Sequence, residues 1–94
     1  MNNYVHITTN TTTTPTTLPC VLAGLTINKT TANGVITIYD GNDANGTVIA
    51  IITSPGTLIE SQVSIDFHDI CLVEGLVIVT SAGAQDITVA YRAS

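Results

Sequence analysis

The chain is short of charge. Lys29 and Arg92 are its only certain cations, against seven carboxylates, and the net charge is −5. Nucleic-acid binders need several Lys or Arg contacts to phosphate, so two cations exclude a DNA- or RNA-binding surface. The same shortage argues against anionic membranes. Charged residues make up 10% of the chain, against roughly 25% in soluble domains. The polar surface therefore has to come from Thr, Asn and Ser. Interface cores are depleted in charge in the same way. Such a composition suits a protein that hides surface against copies of itself or a partner.

Other absences narrow the class. Aromatic residues make up 4% and Trp is missing, so the core is expected to be aliphatic. No apolar run approaches the roughly 20 residues of a membrane-spanning helix. Residues 1–6 have neither a basic region nor a long apolar core, so they do not read as a signal peptide. The chain is expected to start in the cytosol. Cys20 and Cys71 are too few for a disulfide framework. They read as two buried, reduced thiols acting as small hydrophobes, with a Cys20–Cys71 bridge left open until geometry is known. No segment carries helical periodicity beyond one turn.

What is present is β chemistry and turn chemistry. Residues 34–53 hold two β-forming runs, Val35-Ile36-Thr37-Ile38-Tyr39 and Val48-Ile49-Ala50-Ile51-Ile52. Between them lies a loop, residues 40–46, of Asp, Asn, Gly and one Ala. That is a hairpin with a mid-length loop, taken here as the centre of the fold. Ile36 and Ile38 are predicted to face one way, and Val35, Thr37 and Tyr39 the other. The second arm is apolar on both faces and is expected inside the sandwich or under a subunit contact.

Around the hairpin, residues 4–9 alternate weakly, as a short strand or an extended arm. Residues 8–17 are a Thr-rich stretch in which Pro15 bars a central strand. This stretch reads either as a surface loop or as an arm laid along a neighbouring subunit and ordered on assembly. Residues 18–28 form a β region in which Gly24 suggests a bulge. Asn33-Gly34 is a hairpin signal. Ser54-Pro55-Gly56 should end the second arm, and residues 57–60 should form a short edge strand. Residues 62–67 alternate, with Val63, Ile65 and Phe67 on one face. Glu74-Gly75 is a turn, residues 76–80 are a continuous buried run, and residues 81–85 are the last hairpin loop. The closing strand, residues 86–92, places Ile87, Val89 and Tyr91 inward.

Seven or eight short strands with turns between them predict an all-β antiparallel sandwich, Ig-like or jelly-roll. The expected organisation is a Thr-rich N-terminal arm over residues 1–17 and a sandwich domain over 18–94. At 94 residues the core is modest, and oligomerisation is a usual remedy.

Candidate sites are few. Residues 40–46 offer clustered oxygens to a hard cation, but Ala44 interrupts the EF-hand spacing and no Glu closes the loop. Hairpin loops carry the same Asp/Asn/Gly composition. Asp66, His68 and Asp69 could orient a general base, yet no nucleophile motif stands nearby, and polar residues at a strand end explain them. His6, His68, Cys20 and Cys71 lack the paired spacing of a zinc site. Asn10-Thr11-Thr12, Asn28-Lys29-Thr30 and Asn45-Gly46-Thr47 match the glycosylation pattern, as chance allows in a chain rich in Asn and Thr. No catalytic, cofactor-binding or metal site is assigned, and the chain does not read as an enzyme.

Four phrases carry a resemblance. They are Leu22-Ala23-Gly24-Leu25-Thr26-Ile27-Asn28, then Ile36-Thr37-Ile38-Tyr39-Asp40-Gly41 with Gly46-Thr47-Val48-Ile49-Ala50, then Glu74-Gly75-Leu76-Val77-Ile78-Val79-Thr80, and finally Asp86-Ile87-Thr88-Val89-Ala90-Tyr91-Arg92. In this order the chain resembles small β-sandwich virion proteins of tailed bacteriophages, over nearly its whole length after Leu18. The residues before Leu18 depart from that pattern. The resemblance implies a capsid decoration (cement) protein, made in the host cytoplasm and carried on the outer surface of the virion. It implies a homotrimer bridging capsomers of the major capsid protein, without cofactor or active site. A head–tail or tail component is the alternative within that resemblance. A surface module that binds a receptor or carbohydrate is a further alternative, for which Tyr4, Tyr39, Tyr91 and Phe67 are the available aromatics.

Overall fold

A computed structural model describes residues 3–29, 33–53, 63–83 and 85–93. They form eight strands: β1 Asn3–Ile7, β2 Thr12–Thr16, β3 Cys20–Lys29, β4 Val35–Asp40, β5 Thr47–Thr53, β6 Val63–Leu72, β7 Leu76–Ser81 and β8 Asp86–Ala93. No helix occurs among the described residues. The strands make two antiparallel four-stranded sheets, ordered β1-β8-β3-β6 and β2-β7-β4-β5.

The pairing has a simple origin. β4 and β5 are a hairpin, β3 pairs with β6, β2 with β7 and β1 with β8, all antiparallel. The chain is thus one long two-stranded ribbon whose closed tip is the hairpin. Rolling the ribbon up adds the ladders β3–β8 and β4–β7 and divides the strands between two sheets. This is a jelly roll, and the Ig-like alternative does not fit the strand order.

The rolled ribbon corrects several readings. Asn33-Gly34 and residues 81–85 do not close hairpins, because β3 and β4 lie in different sheets, as do β7 and β8. Asn33-Gly34 and residues 82–83 belong to corners where the ribbon passes from sheet to sheet. Asn33 and Ala82 hold left-handed angles, φ 61° at each, so the turn chemistry is used, but for a corner. Nor do residues 3–16 stand apart as an arm. β1 and β2 are edge strands of the two sheets, paired to β8 and β7 of the same chain. A Thr run has no periodicity to announce a strand; β7 supplies the missing partner. Pro15 does sit in an edge strand, at a bulge between Thr13 and Thr16, where its lack of an N–H is tolerated. Residues 54–62 lie outside the described residues, and with them the expected strand end at 54–56, the edge strand at 57–60 and Gln62.

The core follows the alternation. Ile36 and Ile38 of β4, Leu76 and Ile78 of β7, Ile87 and Val89 of β8, and Leu22, Leu25 and Ile27 of β3 are buried in one cluster. Leu22 and Leu25 are three residues apart and would face opposite ways in a regular strand. A bulge between Leu22 and Gly24 brings both inward. A Cβ on Gly24 would lie 3.0 Å from the carbonyl oxygen of Ile65, so the bulge expected there is also a close backbone approach.

β5 is not an interior strand. It is an edge of its sheet. A bulge at Ile49, between the pairs Ile38–Ala50 and Tyr39–Val48, leaves Val48 and Ile51 exposed, at 49% and 62%. Ile49, Ala50 and Ile52 are half-buried against the core.

Candidate functional site

The residues singled out by chemistry fall at the ribbon's corners and bulges. Asp40 ends β4 and its carboxylate accepts the backbone N–H groups of Val73 (3.1 Å) and Glu74 (2.9 Å). Gly41 N–H donates to the Gly75 carbonyl at 3.3 Å. Asn42, with its amide turned so that Nδ2 faces them, donates to the carbonyls of Thr17 and Glu74 at 3.2 Å. Asp43 accepts the Asn45 N–H at 2.9 Å. The oxygen cluster that suggested a cation loop therefore locks the hairpin tip to the corner formed by the β2–β3 and β6–β7 connections.

Burial would raise the Asp40 carboxyl, but the amides of Glu74, Val73 and Gly75 outweigh it and hold the group below its ordinary 3.8. A depressed carboxyl contributes stability above its unfolded value, and that contribution is lost as pH falls through its folded value. Asp40→Asn is accordingly expected to flatten the loss of stability in acid below about pH 4, the ordinary Asp range. It should also cost about 1–3 kcal/mol at neutral pH through the weakened amide bonds. Urea titrations of both proteins at neutral and acid pH check both effects. An unchanged acid slope would assign the acid sensitivity elsewhere.

The next corner is closed by Thr80 and Asn10. The buried Thr80 hydroxyl donates to the Thr9 carbonyl at 2.7 Å and accepts the Thr11 N–H at 3.1 Å. The Asn10 amide, turned to suit, exchanges bonds with the Gly83 carbonyl and N–H. Asn28 donates to Asp86 and Thr88, each at 3.2 Å. His6 Nε2 also bonds Asp86, and this contact, followed by the one from Asn28, holds the Asp86 carboxyl below its ordinary value. Asn10 and Asn28, both in glycosylation-type triplets, are thus engaged in the fold.

Asp66, His68 and Asp69 do not mark a strand end, since β6 continues to Leu72. They form an excursion within it: Phe67, His68 and Asp69 stand opposite the single residue Ala23. His68 and Asp69 take φ of 55° and 57° to accommodate the extra length. Asp66 accepts the His68 N–H at 2.7 Å, and its other oxygen lies 3.7 Å from His68 Nδ1. Asp69 receives Arg92 Nη1 at 3.0 Å. The three side chains are exposed. The bonds shape the bulge.

Cys20 is buried and Cys71 exposed, so the expectation of two buried thiols holds only for the first. Cys20 faces Leu72 and Val21 faces Cys71, which places the thiols on opposite faces of the sheet, unable to bridge. Burial, then the nearby Asp40 charge, raises the Cys20 thiol. His6 and His68 stand on opposite edge strands of that sheet, so the four zinc candidates do not converge. Among the described residues no group of three or more His, Cys, Asp or Glu is placed to hold a metal ion.

Exposed apolar side chains are what sequence reading missed. Leu18 (68%) and Val73 (72%) project from the corner that Asp40 locks, and Val48 and Ile51 from β5. Tyr4 (73%) stands on the outer face of the other sheet, beside a shallow trough containing Gly24, Thr26, Thr88 and Ala90. A connection carries no hydrophobic period, so nothing before the fold marked Leu18 or Val73 as neighbours. An open groove of about 450 Å³ lies among Asn3, Pro15, Leu18, Cys20 and Tyr91. It has the size of a small-molecule site and a mostly apolar lining, with Asn3, Thr16 and Tyr91 as its polar side chains. No protein-family model and no curated protein matches this sequence.

Proposed function

We propose that the chain is a structural virion protein of a tailed bacteriophage, a capsid decoration (cement) protein. In this reading a homotrimer bridges capsomers of the major capsid protein on the outer surface of the head. The observation that carries it is the division of labour among side chains. The carboxylates and amides near the corners are spent on holding the rolled ribbon together, while Leu18, Val73, Val48 and Ile51 project outward. A jelly roll also suits the reading, as it recurs in viral capsid proteins; that support is by fold-level analogy alone. Bridging works by burying apolar area across capsomer boundaries, worth about 25 cal/mol per Å² before association costs. Several attachments per oligomer then raise avidity without one strong site.

The test uses phage heads lacking the protein. Purified chain added back should bind and raise the temperature at which the heads release their DNA. The double variant Leu18→Asp, Val73→Asp, shown to be folded, should bind less. Heads equally stable with and without bound chain would remove the cement role. Retention at the tail alone would favour the head–tail component.

Tyr4 favours a second reading, a surface module for carbohydrate, because an exposed ring can stack on a sugar and Tyr4 pairs with Ala90, which lines the trough. Glycan binding that is lost in Tyr4→Ala would support it, and a glycan array without hits would end it.

A further inference from the structure

We propose that the second half of β5 is a self-pairing edge, through which two copies join their β2-β7-β4-β5 sheets antiparallel about a two-fold axis at Ile51. The proposal goes beyond the shell-bridging reading and does not depend on it.

Edge strands offer a row of free backbone donors and acceptors, and proteins protect them with charge, proline, bulges or shortness. Three of the four edges here are protected. β2 has Pro15 and a bulge. β6 has the two-residue excursion at His68 and Asp69, with Asp66 beside it. β1 is five residues long, and its His6 pairs with Asp86 of the neighbouring β8. β5 has a bulge only at Ile49, and from Ala50 to Thr53 it has neither charge, proline nor irregularity. Among the described residues, no strand pairs with its outer edge.

The occupant follows from charge and register. A chain of net charge −5 repels its own copies wherever carboxylates meet, and β5 holds none. Directly opposite residues in an antiparallel pair share a face. Centring the pair on Ile51 sets it against Ile51 of the second copy, both on the outer face. Ala50 then lies opposite Ile52 on the core side, in both directions. Ile49, Ala50 and Ile52 are only half-buried against the core, so the second copy extends burial at this margin of the sandwich. The contact is self-complementary, as a two-fold interface must be. A two-fold contact is compatible with a threefold one made elsewhere and would link one trimer to the next.

One pair of short strands covers less than the roughly 1,200 Å² of a stable complex, so the pairing should depend on concentration. Sedimentation across the micromolar-to-millimolar range should show wild type reaching twice the mass of Ile51→Asp, in which like charges stand directly opposite. In a Cys71→Ser background, Ile51→Cys should give a covalent dimer on oxidation with diamide. Opposed residues have Cα atoms about 4.5–5.5 Å apart, within disulfide reach. Val48→Cys, out of register with its own copy, should not. Equal masses for wild type and Ile51→Asp at every concentration would overturn the proposal, as would equal linking at positions 48 and 51. Residues 54–62 connect β5 to β6. If the β5 amides that do not bond β4 are protected from exchange in Ile51→Asp as in wild type, the edge is covered within the chain and the two-fold pair is wrong.

Discussion

Ile38→Ala is expected to lower the melting temperature by about 10–30 °C, the equivalent of about 2–5 kcal/mol for a domain of this size. Ile38 is fully buried at the middle of β4, between Ala50 of β5 and Ile78 of β7. Truncation removes apolar burial and leaves a cavity whose walls are strands, which collapse poorly. At 0.05–0.15 kcal/mol per residue, a chain of this length has about 5–14 kcal/mol in all, so this one change removes a large part of it. Ile51→Ala on the neighbouring strand is the control. Its side chain faces outward, and at concentrations too low for self-association its effect should stay within about 0.5 kcal/mol. Thermal melts of the two variants side by side check the contrast. Equal losses would mean that the two faces of the sheet are assigned wrongly.

The second large effect is expected at Gly75. A Cβ there would lie 2.6 Å from the Gly41 carbonyl oxygen and 2.8 Å from that of Thr16. Both obstacles are backbone, so no side chain can swing aside. Gly75→Ala has to push the hairpin tip away from the corner, loosening the Gly41–Gly75 bond and the amides that hold Asp40. The expected cost lies at the upper end of the ~1–3 kcal/mol of overpacking. Because the damage is shared, Gly75→Ala combined with Asp40→Asn should cost less than the sum of the single changes. Urea unfolding of the single and double variants measures this coupling, and strict additivity would separate the two contacts.

These two positions also mark what the sequence made legible. Ile38 was readable because β4 alternates, and alternation is a property of the strand itself. The bulge at Gly24 was readable for a similar local reason. The hairpin tip was readable because its loop closes on itself. Corners were not. Asn33-Gly34 and residues 81–85 show turn chemistry, which dictates a backbone angle but not the sheet that the next strand joins. The sequence leaves β5 either inside the sandwich or under a subunit contact, because a strand apolar on both faces suits both, and only the sheet order removes the first. Among the site candidates, the Asp/Asn/Gly composition of residues 40–46 made a hairpin loop legible. Their true partners, Thr17 and residues 73–75, were invisible at that distance along the chain. The excursion at His68 and Asp69 was hidden because β6 resumes its pairing after it.

The rolled ribbon has a consequence for synthesis. β8 stands between β1 and β3, so β1 has no neighbour and β3 only one until residues 86–93 emerge from the ribosome. Of the eight strands only β4 and β5 can pair with little intervening chain. Such remote pairing places folding in the millisecond-to-second range, and it leaves a nascent polypeptide that cannot mature by halves. Shortening the gene from its 3′ end past β8 should therefore abolish the fold outright, whereas removing β1 should only fray one margin.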